Sequence, residues 1–242
     1  MIGFGGIVNV CHSITKKFDK RNGHAVSIQG KEEVILWNDL SKAWQTAFSA
    51  GWESFKNGSI PIGAVISDEN GKIICTGRNR VNEITNGNSR IAHAETDCLL
   101  HLDTGQYPDL KSYTLYACME PCPMCMGTIV MSNFRKLRIA AKDGYCGAVH
   151  YCEDDSYIKS KNIDVFFELG DMQLVQLTIQ TYFELKNNGG ASNPIIECFA
   201  ADCHRAVNIA KTLYADRILD TYAENNIDFK EVFDSIIIAG RR

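Results

Sequence analysis

The chain has 242 residues, of which 45% are hydrophobic and 22% are charged. This composition is typical of a globular protein and suits one large domain, or one domain with a small appendage. The formal net charge of −4 and the pI of about 5.9 exclude a strongly basic chain with a global attraction for polyphosphate.

We expect neither a membrane span nor a signal peptide in this sequence. No segment approaches the roughly 18 consecutive apolar residues that a membrane span requires, and residues 1–10 lack the basic start of a signal peptide. Ten cysteines in a chain of this length, several at metal-ligand spacing, favour bound or buried thiols over a disulfide scaffold. We therefore expect a cytoplasmic protein without membrane contact.

The first two thirds of the chain predict an α/β domain. Residues 1–35 show no sustained hydrophobic period and are interpreted as an N-terminal extension. The predicted elements that follow are a helix at 38–57 capped by Asn38, a hairpin of strands 62–67 and 72–77, a polar loop at 78–88, a helix at 92–101, a strand at 113–117, a helix at 121–131, and strands at 137–141 and 164–167. Alternating strands and helices after a hairpin indicate an α/β sandwich with a mixed sheet.

The last third of the chain has a different, helical pattern. A helix is predicted at 174–185, followed by a linker or loop at 189–194 and two helices at 202–224 and 228–238. We therefore divide the chain into an N-terminal extension (1–35), an α/β domain (36–168) and a helical C-terminal extension (169–242).

Two short motifs carry the chemistry. His93-Ala94-Glu95 and Pro121-Cys122-Pro123-Met124-Cys125 each stand at the start of a predicted helix. One imidazole and two thiolates give zinc three protein ligands and leave a fourth position for water, which is the arrangement of a catalytic site. The positive end of a helix dipole also favours thiolate over thiol.

Glu95 follows the histidine by two residues and can reach the open metal position. A carboxylate there can take a proton from a zinc-bound water and return it to a leaving amine. A lone C-x-x-C is usually a structural half-site or a redox pair, and a lone H-x-E is usually chance. Together and in this order they form the pattern of zinc deaminases, with the glutamate as a proton shuttle outside the metal's ligands.

A rival interpretation uses Cys118 with Cys122 and Cys125. Their C-x-x-x-C-x-x-C spacing is associated with radical-SAM iron–sulfur enzymes, in which the motif lies near the first strand of a partial barrel. Here the motif lies in the middle of the chain, and that interpretation ignores His93 and Glu95. We interpret Cys118 as a buried thiol at a strand end.

Residues 36–168 resemble the cytidine deaminase-like superfamily, and most closely the bacterial guanine deaminases and tRNA adenosine deaminases. The resemblance is carried by five pieces in the family's order: residues 61–65 (PIGAV), 77–79 (GRN), 92–95 (AHAE), 115–125 (LYACMEPCPMC) and 141–148 (AKDGYCGA). It implies a three-layer α/β/α sandwich with a mixed central sheet, and a homodimer or higher homo-oligomer.

The resemblance also assigns site residues. It implies that His93, Cys122 and Cys125 bind one Zn²⁺ with a catalytic water, and that Glu95 moves protons. It further implies that the substrate is contacted by Asn79, Ala94, Ile62 and Gly63, and that Asp143 matches a family aspartate. Residues 88–91 (NSRI) replace the Asp-Pro-Thr of many relatives, so a substrate contact by Arg90 stays open.

Three functions compete on this evidence. The leading one is zinc-dependent hydrolytic deamination of a small nucleobase or nucleoside, with a guanine-type purine favoured. The second is adenosine-to-inosine deamination in tRNA, for which the basic cluster Arg135, Lys136 and Arg138 is thin, so a nucleic-acid partner is not expected. The third is a zinc-stabilised binding module without catalysis, which would have no use for Glu95.

Overall fold

A five-stranded mixed sheet forms the middle layer of the protein. The computed structural model describes residues 34–83 and 87–241, so the predicted extension over 1–35 lies almost entirely outside the described residues. The strands are β1 (Gly63–Ser67), β2 (Ile73–Arg78), β3 (Thr114–Met119), β4 (Lys136–Ala141) and β5 (Asp164–Phe167). Their order is β2-β1-β3-β4-β5. Strand β1 is antiparallel to β2 and β3, whereas β3, β4 and β5 are parallel.

Helices cover both faces of this sheet. They are α1 (Lys42–Lys56), α2 (Ala94–His101), α3 (Pro123–Met131), α4 (Tyr151–Asp154), α5 (Ser156–Lys159), α6 (Gly170–Asn187), α7 (Pro194–Ala215), α8 (Ile218–Glu224) and α9 (Phe229–Ala239), with short 3₁₀ turns at Trp37–Asp39 and Ser89–Ile91. In the described part of the chain, no helix combines the length and the apolar character needed to cross a bilayer.

Alternation along the strands divides the interior into two cores. Ala64 and Ile66 of β1 point into a core shared with α2 and α3, whereas Val65 points into a core shared with α1, α6, α7 and α9. Successive strand residues point to opposite faces, so one short strand supplies both cores. This is the predicted three-layer α/β/α sandwich.

The helices after residue 169 share the second of these cores. Phe48 of α1 stacks on Phe229 of α9 with ring centroids 5.8 Å apart, and it meets Phe233 edge-on at 5.6 Å. Both rings of α9 also contact Trp37, at 5.8 Å each. The C-terminal helices are therefore packed into the main core of the described residues.

Several predicted boundaries need correction. The first helix begins at Lys42 because Ser41 caps it, accepting a hydrogen bond from the Trp44 N–H at 3.4 Å, so the predicted Asn38 cap is wrong. The predicted helix at 202–224 is helical over most of its length, but its bounds are wrong, and α7 is kinked at Cys203 (φ −155°, ψ 84°). A helix starts at Pro194, where Asn193 accepts from the Ile196 N–H at 2.9 Å, and the left-handed Arg217 (φ 51°) separates it from α8. The short α4 and α5 were not predicted.

Glycine at position 63 lets β1 and α1 pack backbone to backbone. A Cβ built there would lie 2.0 Å from the Ala47 carbonyl oxygen and 2.7 Å from the Gly51 nitrogen. Both obstacles are main-chain atoms of a helix, so they cannot move aside as a flexible side chain would.

We expect Gly63→Ala to lower the free energy of unfolding by about 1–3 kcal/mol or more, because the strand and helix must separate. The measurement is the urea midpoint of the full chain. Gly127→Ala is the matched control: no atom lies within 4 Å of a Cβ at this α3 position, and alanine is the better helix former. Equal midpoints for wild type and Gly63→Ala would contradict the close contact.

Candidate active site

Two helix N-termini place the predicted metal ligands. His93 is the N-cap residue of α2 and Cys122 is the N-cap residue of α3, while Cys125 lies in the first turn of α3. Neither cap side chain accepts a hydrogen bond from its own helix. Their side chains are therefore free to face each other across the gap between the two helices.

The three side chains converge at distances that fit a zinc ion. Their ligand atoms all lie within 4.8 Å of one another. Nδ1 of His93 is 3.6 Å from Sγ of Cys122 and 3.6 Å from Sγ of Cys125. Tetrahedral zinc with ordinary Zn–N and Zn–S bonds separates a nitrogen and a sulfur ligand by about 3.5 Å. The donor set and its spacing therefore match a three-ligand zinc site.

The hydrogen bond between the two thiols moves their pKa values in opposite directions. The hydrogen bond from Cys125, followed by that from His93, lowers the pKa of Cys122 to about 4. The same bond to Cys122, together with burial, raises the pKa of Cys125. Cys122 therefore ionises readily, and its thiolate accepts hydrogen bonds from Cys125 and His93. The pKa of His93 is raised, chiefly by its hydrogen bond to Cys122.

Neighbouring groups orient these ligands. Oγ1 of Thr96 lies 3.9 Å from Sγ of Cys125, and the His93 ring also hydrogen-bonds the backbone of Arg90. Partners of this kind fix the tautomer and direction of a ligating ring. Arg90 therefore acts on the site through its backbone, a contact that the sequence did not predict.

Glu95 is buried beside the three ligands. Its side chain is among the few buried charged groups, with the residue only 4% exposed, and burial raises its pKa above the usual carboxyl value. It is not a member of the metal-ligand cluster in the described residues. A buried carboxylic group of this kind, next to a metal site, is suited to holding and releasing a proton.

A small cavity of about 160 Å³ opens at this cluster. Six predicted site residues line it, whereas Cys125, Ala94 and Gly63 are not among the lining residues. The lining residues are Ile60, Ile62, Asn79, His93, Glu95, Met119, Glu120, Cys122, Asp143, Tyr145, Cys146, Gln180, Glu184 and Ile195.

Asn79 combines a structural and a substrate-facing position. Its Oδ1 accepts a hydrogen bond from the Val81 N–H at 3.1 Å, and its main chain is paired with Ile62 and Ser54. The residue is 1% exposed, and its Nδ2 has no partner among the described residues. Because Oδ1 is occupied, the amide presents a donor to the cavity.

The loop after β4 is tied down by carboxylates. Oδ1 of Asp143 accepts from the backbone N–H groups of Tyr145 and Cys146 at 3.0 and 3.1 Å, and Oδ2 accepts from the Cys146 thiol at 3.1 Å. Glu120 accepts from the backbone N–H groups of Asp143 and Val149 at 3.2 and 3.1 Å. Asp143 thus shapes the cavity wall as a loop cap. Glu120 lies within the 115–125 motif, but its hydrogen bonds to this loop were not predicted.

The C-terminal helices form part of the cavity wall. Gln180 and Glu184 of α6 and Ile195 of α7 are lining residues. The same helices hold the loop after β4, since Gln173 accepts from the Lys142 N–H and Asp202 accepts from the Gly144 N–H, both at 3.0 Å. The available signal was the four-residue spacing of Gln176, Gln180 and Glu184, which places them on one face of the predicted helix.

Comparison with known proteins gives the family. The model of the cytidine and deoxycytidylate deaminase zinc-binding region matches residues 38–141. A probable cytosine deaminase of Schizosaccharomyces pombe is 31% identical over 129 residues, covering 48% of this chain and 71% of the relative. The chain belongs to this zinc-binding deaminase family.

Other similar proteins differ in substrate. The chloroplastic tRNA(adenine(34)) deaminase of Arabidopsis thaliana is 36% identical over 129 residues, which is 53% of this chain but only 9% of that protein. The structure of guanine deaminase from Bacillus subtilis is 29% identical, covers 48% of this chain and 78% of that chain, and has a TM-score of 0.39. Cytosine, a tRNA adenine and guanine are thus all named among the relatives.

We expect Cys122→Ala to lose bound zinc, because two ligands rarely hold the ion against competition. Metal analysis of the purified protein measures this directly. Cys118→Ala is the matched control and should keep its zinc, since Cys118 is buried outside the ligand cluster. Full zinc occupancy in Cys122→Ala would refute the ligand assignment. If the wild type contains iron and sulfide and both variants lose them equally, the iron–sulfur alternative is favoured.

Proposed function

We propose that this protein hydrolytically deaminates a small uncharged nucleobase or nucleoside, with a guanine-type purine as the favoured substrate, and releases ammonia. The observation that carries this proposal is the buried Glu95 beside a three-ligand metal cluster that opens into a small cavity. Such a reaction acts on a cyclic amidine, whose amino group leaves after water is added to the ring carbon.

The side chains have distinct tasks in that reaction. Bound zinc would supply an acidic water, with a pKa near 7, at its open position. Glu95 accepts the proton of the attacking water and delivers it to the departing amine, and its raised pKa keeps this transfer feasible near neutral pH. The free amide donor of Asn79 orients the ring through one of its acceptor atoms.

The size and charge of the cavity favour a small uncharged substrate. Its volume of about 160 Å³ lies below the roughly 300–1,000 Å³ of pockets for drug-sized ligands. Among the described lining residues there is no lysine or arginine, whereas four are carboxylates: Glu95, Glu120, Asp143 and Glu184. A phosphate group would meet these carboxylates without compensation, which counts against nucleotides and polynucleotides.

The basic cluster at β4 does not compensate for this. Lys136 begins the strand and Ala141 ends it near the cavity, so the two ends are about 17 Å apart at the usual rise per residue. Arg138 is paired with Asp164 at 2.7 Å, and Lys136 donates to the Ser112 carbonyl at 3.0 Å. Lys136 is thus far from the site, and both cations are already engaged, so they offer little to the phosphates of a tRNA.

A non-catalytic zinc module is the remaining alternative. Structural zinc sites are closed by four protein ligands, whereas the cluster in the described residues has three. Burying a carboxylate also costs stability, and a structural zinc module would gain nothing in return for that cost at Glu95. Glu95 in that position therefore favours catalysis.

We expect Glu95→Gln to keep zinc and to lose deamination by more than about 100-fold, because the amide cannot move the proton. Metal content and ammonia release are measured on the same preparation. Glu197→Gln makes the same change at an exposed α7 residue and should retain activity. Loss of zinc together with activity would make Glu95 a ligand, contrary to its assigned role.

The substrate class is tested by ammonia release from guanine, cytosine, adenine, their nucleosides and a tRNA anticodon stem-loop at matched concentration. We expect turnover of at least one free base or nucleoside, with guanine ahead, and none of the stem-loop. Turnover of the stem-loop alone would replace this proposal by tRNA adenosine deamination. Turnover of no compound by the zinc-loaded protein would leave the binding module as the better interpretation.

A further inference from the structure

Helix α6 presents a row of polar side chains to the interior. Gln176, Gln180 and Glu184 follow each other at four-residue spacing, so they lie on one face of the helix. Gln176 is fully buried and Gln180 is 6% exposed. Gln180 and Glu184 line the active-site cavity. Buried polar groups require partners, so their unused hydrogen-bonding atoms indicate what the cavity accepts.

The amide of Gln180 is oriented by its neighbour. Nε2 of Gln176 donates to the Pro61 carbonyl at 3.0 Å and to Oε1 of Gln180 at 3.4 Å. The oxygen of Gln180 is therefore the accepting atom on the side of Gln176. Its Nε2 has no hydrogen-bond partner among the described residues, so the buried amide offers a donor to the cavity.

Glu184 is held so that it presents an acceptor, whereas Gln180 presents a donor. Nδ2 of Asn193 donates to Oε2 of Glu184 at 2.9 Å, while Oδ1 of Asn193 caps α7. The cap residue thus fixes the carboxylate. Oε1 of Glu184 has no hydrogen-bond partner among the described residues, so it offers an acceptor to the cavity one helical turn from the Gln180 donor.

A donor and an acceptor side by side on one wall match a ring N–H next to a ring carbonyl. We propose that Gln180 and Glu184 are specificity-determining residues that bind such a lactam edge, Glu184 accepting from the N–H and Gln180 donating to the carbonyl oxygen. The inference rests on the proposed function and deepens it. Guanine has this edge at N1–H and O6, whereas adenine and adenosine have no N–H beside a carbonyl.

The discrimination follows from buried groups that would be left unpaired. A purine without the lactam edge leaves the buried Gln180 donor and the half-buried Glu184 acceptor without ligand partners. Sites built to hydrogen-bond a polar group reject analogues that lack it far more strongly than apolar pockets reject an analogue of similar shape. The two residues thus separate guanine-type substrates from adenine-type ones.

The first test compares guanine with 2-aminopurine, which keeps the same amino group at C2 but lacks N1–H and O6. We expect the zinc-loaded wild type to favour guanine in kcat/KM by at least about tenfold. Glu184→Gln keeps the bond from Asn193 but turns the cavity-facing atom from acceptor to donor. It should lower this preference at least about tenfold, with unchanged zinc content. Glu197→Gln is the matched control and should preserve the preference.

The second test exchanges the donor and the acceptor between positions 180 and 184. The double variant Gln180→Glu/Glu184→Gln conserves charge, and both supporting bonds, from Gln176 and Asn193, can still form. Its wall presents an acceptor and a donor in the reverse order, which matches the 6-amino group and N1 of 2,6-diaminopurine. We expect this variant to prefer 2,6-diaminopurine over guanine, which is a reversal that simple loss of structure cannot produce.

Two outcomes would overturn the inference while leaving the proposed function intact: a wild type that deaminates 2-aminopurine as well as guanine, or a preference that is unchanged in both variants. If the wild type deaminates none of the compounds, the proposed function fails, and calorimetric binding then tests the lactam-edge inference on its own. Hypoxanthine, which has the lactam edge but no amino group, should then bind the zinc-loaded protein at least about tenfold more tightly than unsubstituted purine. Equal binding of the two would refute the inference.

Discussion

The meeting of two helix N-termini is the constraint on which the site depends. His93 and Cys122 begin α2 and α3, and neither side chain caps its own helix, so both can face one metal ion. Helix α2 has only eight residues and is positioned by packing. A Cβ at Gly77 of β2 would lie 2.3 Å from the Cys98 nitrogen and 2.4 Å from the Ala94 carbonyl oxygen. This close approach fixes the start of α2, and with it the distance from His93 to both cysteines.

The same placement explains why Glu95 can be buried. A carboxyl group removed from water has a raised pKa and needs compensation, and Glu95 stands in the first turn of α2, where the dipole's positive end favours negative charge. A zinc ion held by His93 and the cysteines would add a second positive charge nearby. Burial raises the pKa of Glu95, whereas the nearby positive charges oppose this effect. Glu95 is therefore suited to holding a proton at one step and releasing it at the next.

Local patterns predicted the catalytic core well. The ligands and Glu95 lie within two short motifs whose helix starts are fixed by neighbouring residues, and the five strands were each found within two residues of their ends. Contacts between distant residues could not be predicted. The break at Arg217 depends on a left-handed residue that is not glycine, and the partnership of Gln173 with Lys142 joins positions 31 residues apart. Neither leaves a periodic signal.

The cavity wall extends beyond the segment that the family model matches. The family match ends at residue 141, so it contains the metal ligands and Glu95 but neither the Asp143 loop nor α6. That loop is held by Gln173 and Asp202 of the C-terminal helices, and those helices also add Gln180 and Glu184 to the lining. The matched segment thus supplies the chemistry, while the unmatched segment supplies much of the surface that a substrate touches. Because relatives that share the first segment act on different bases, the substrate of this chain has to be inferred from the donors and acceptors of its own C-terminal helices.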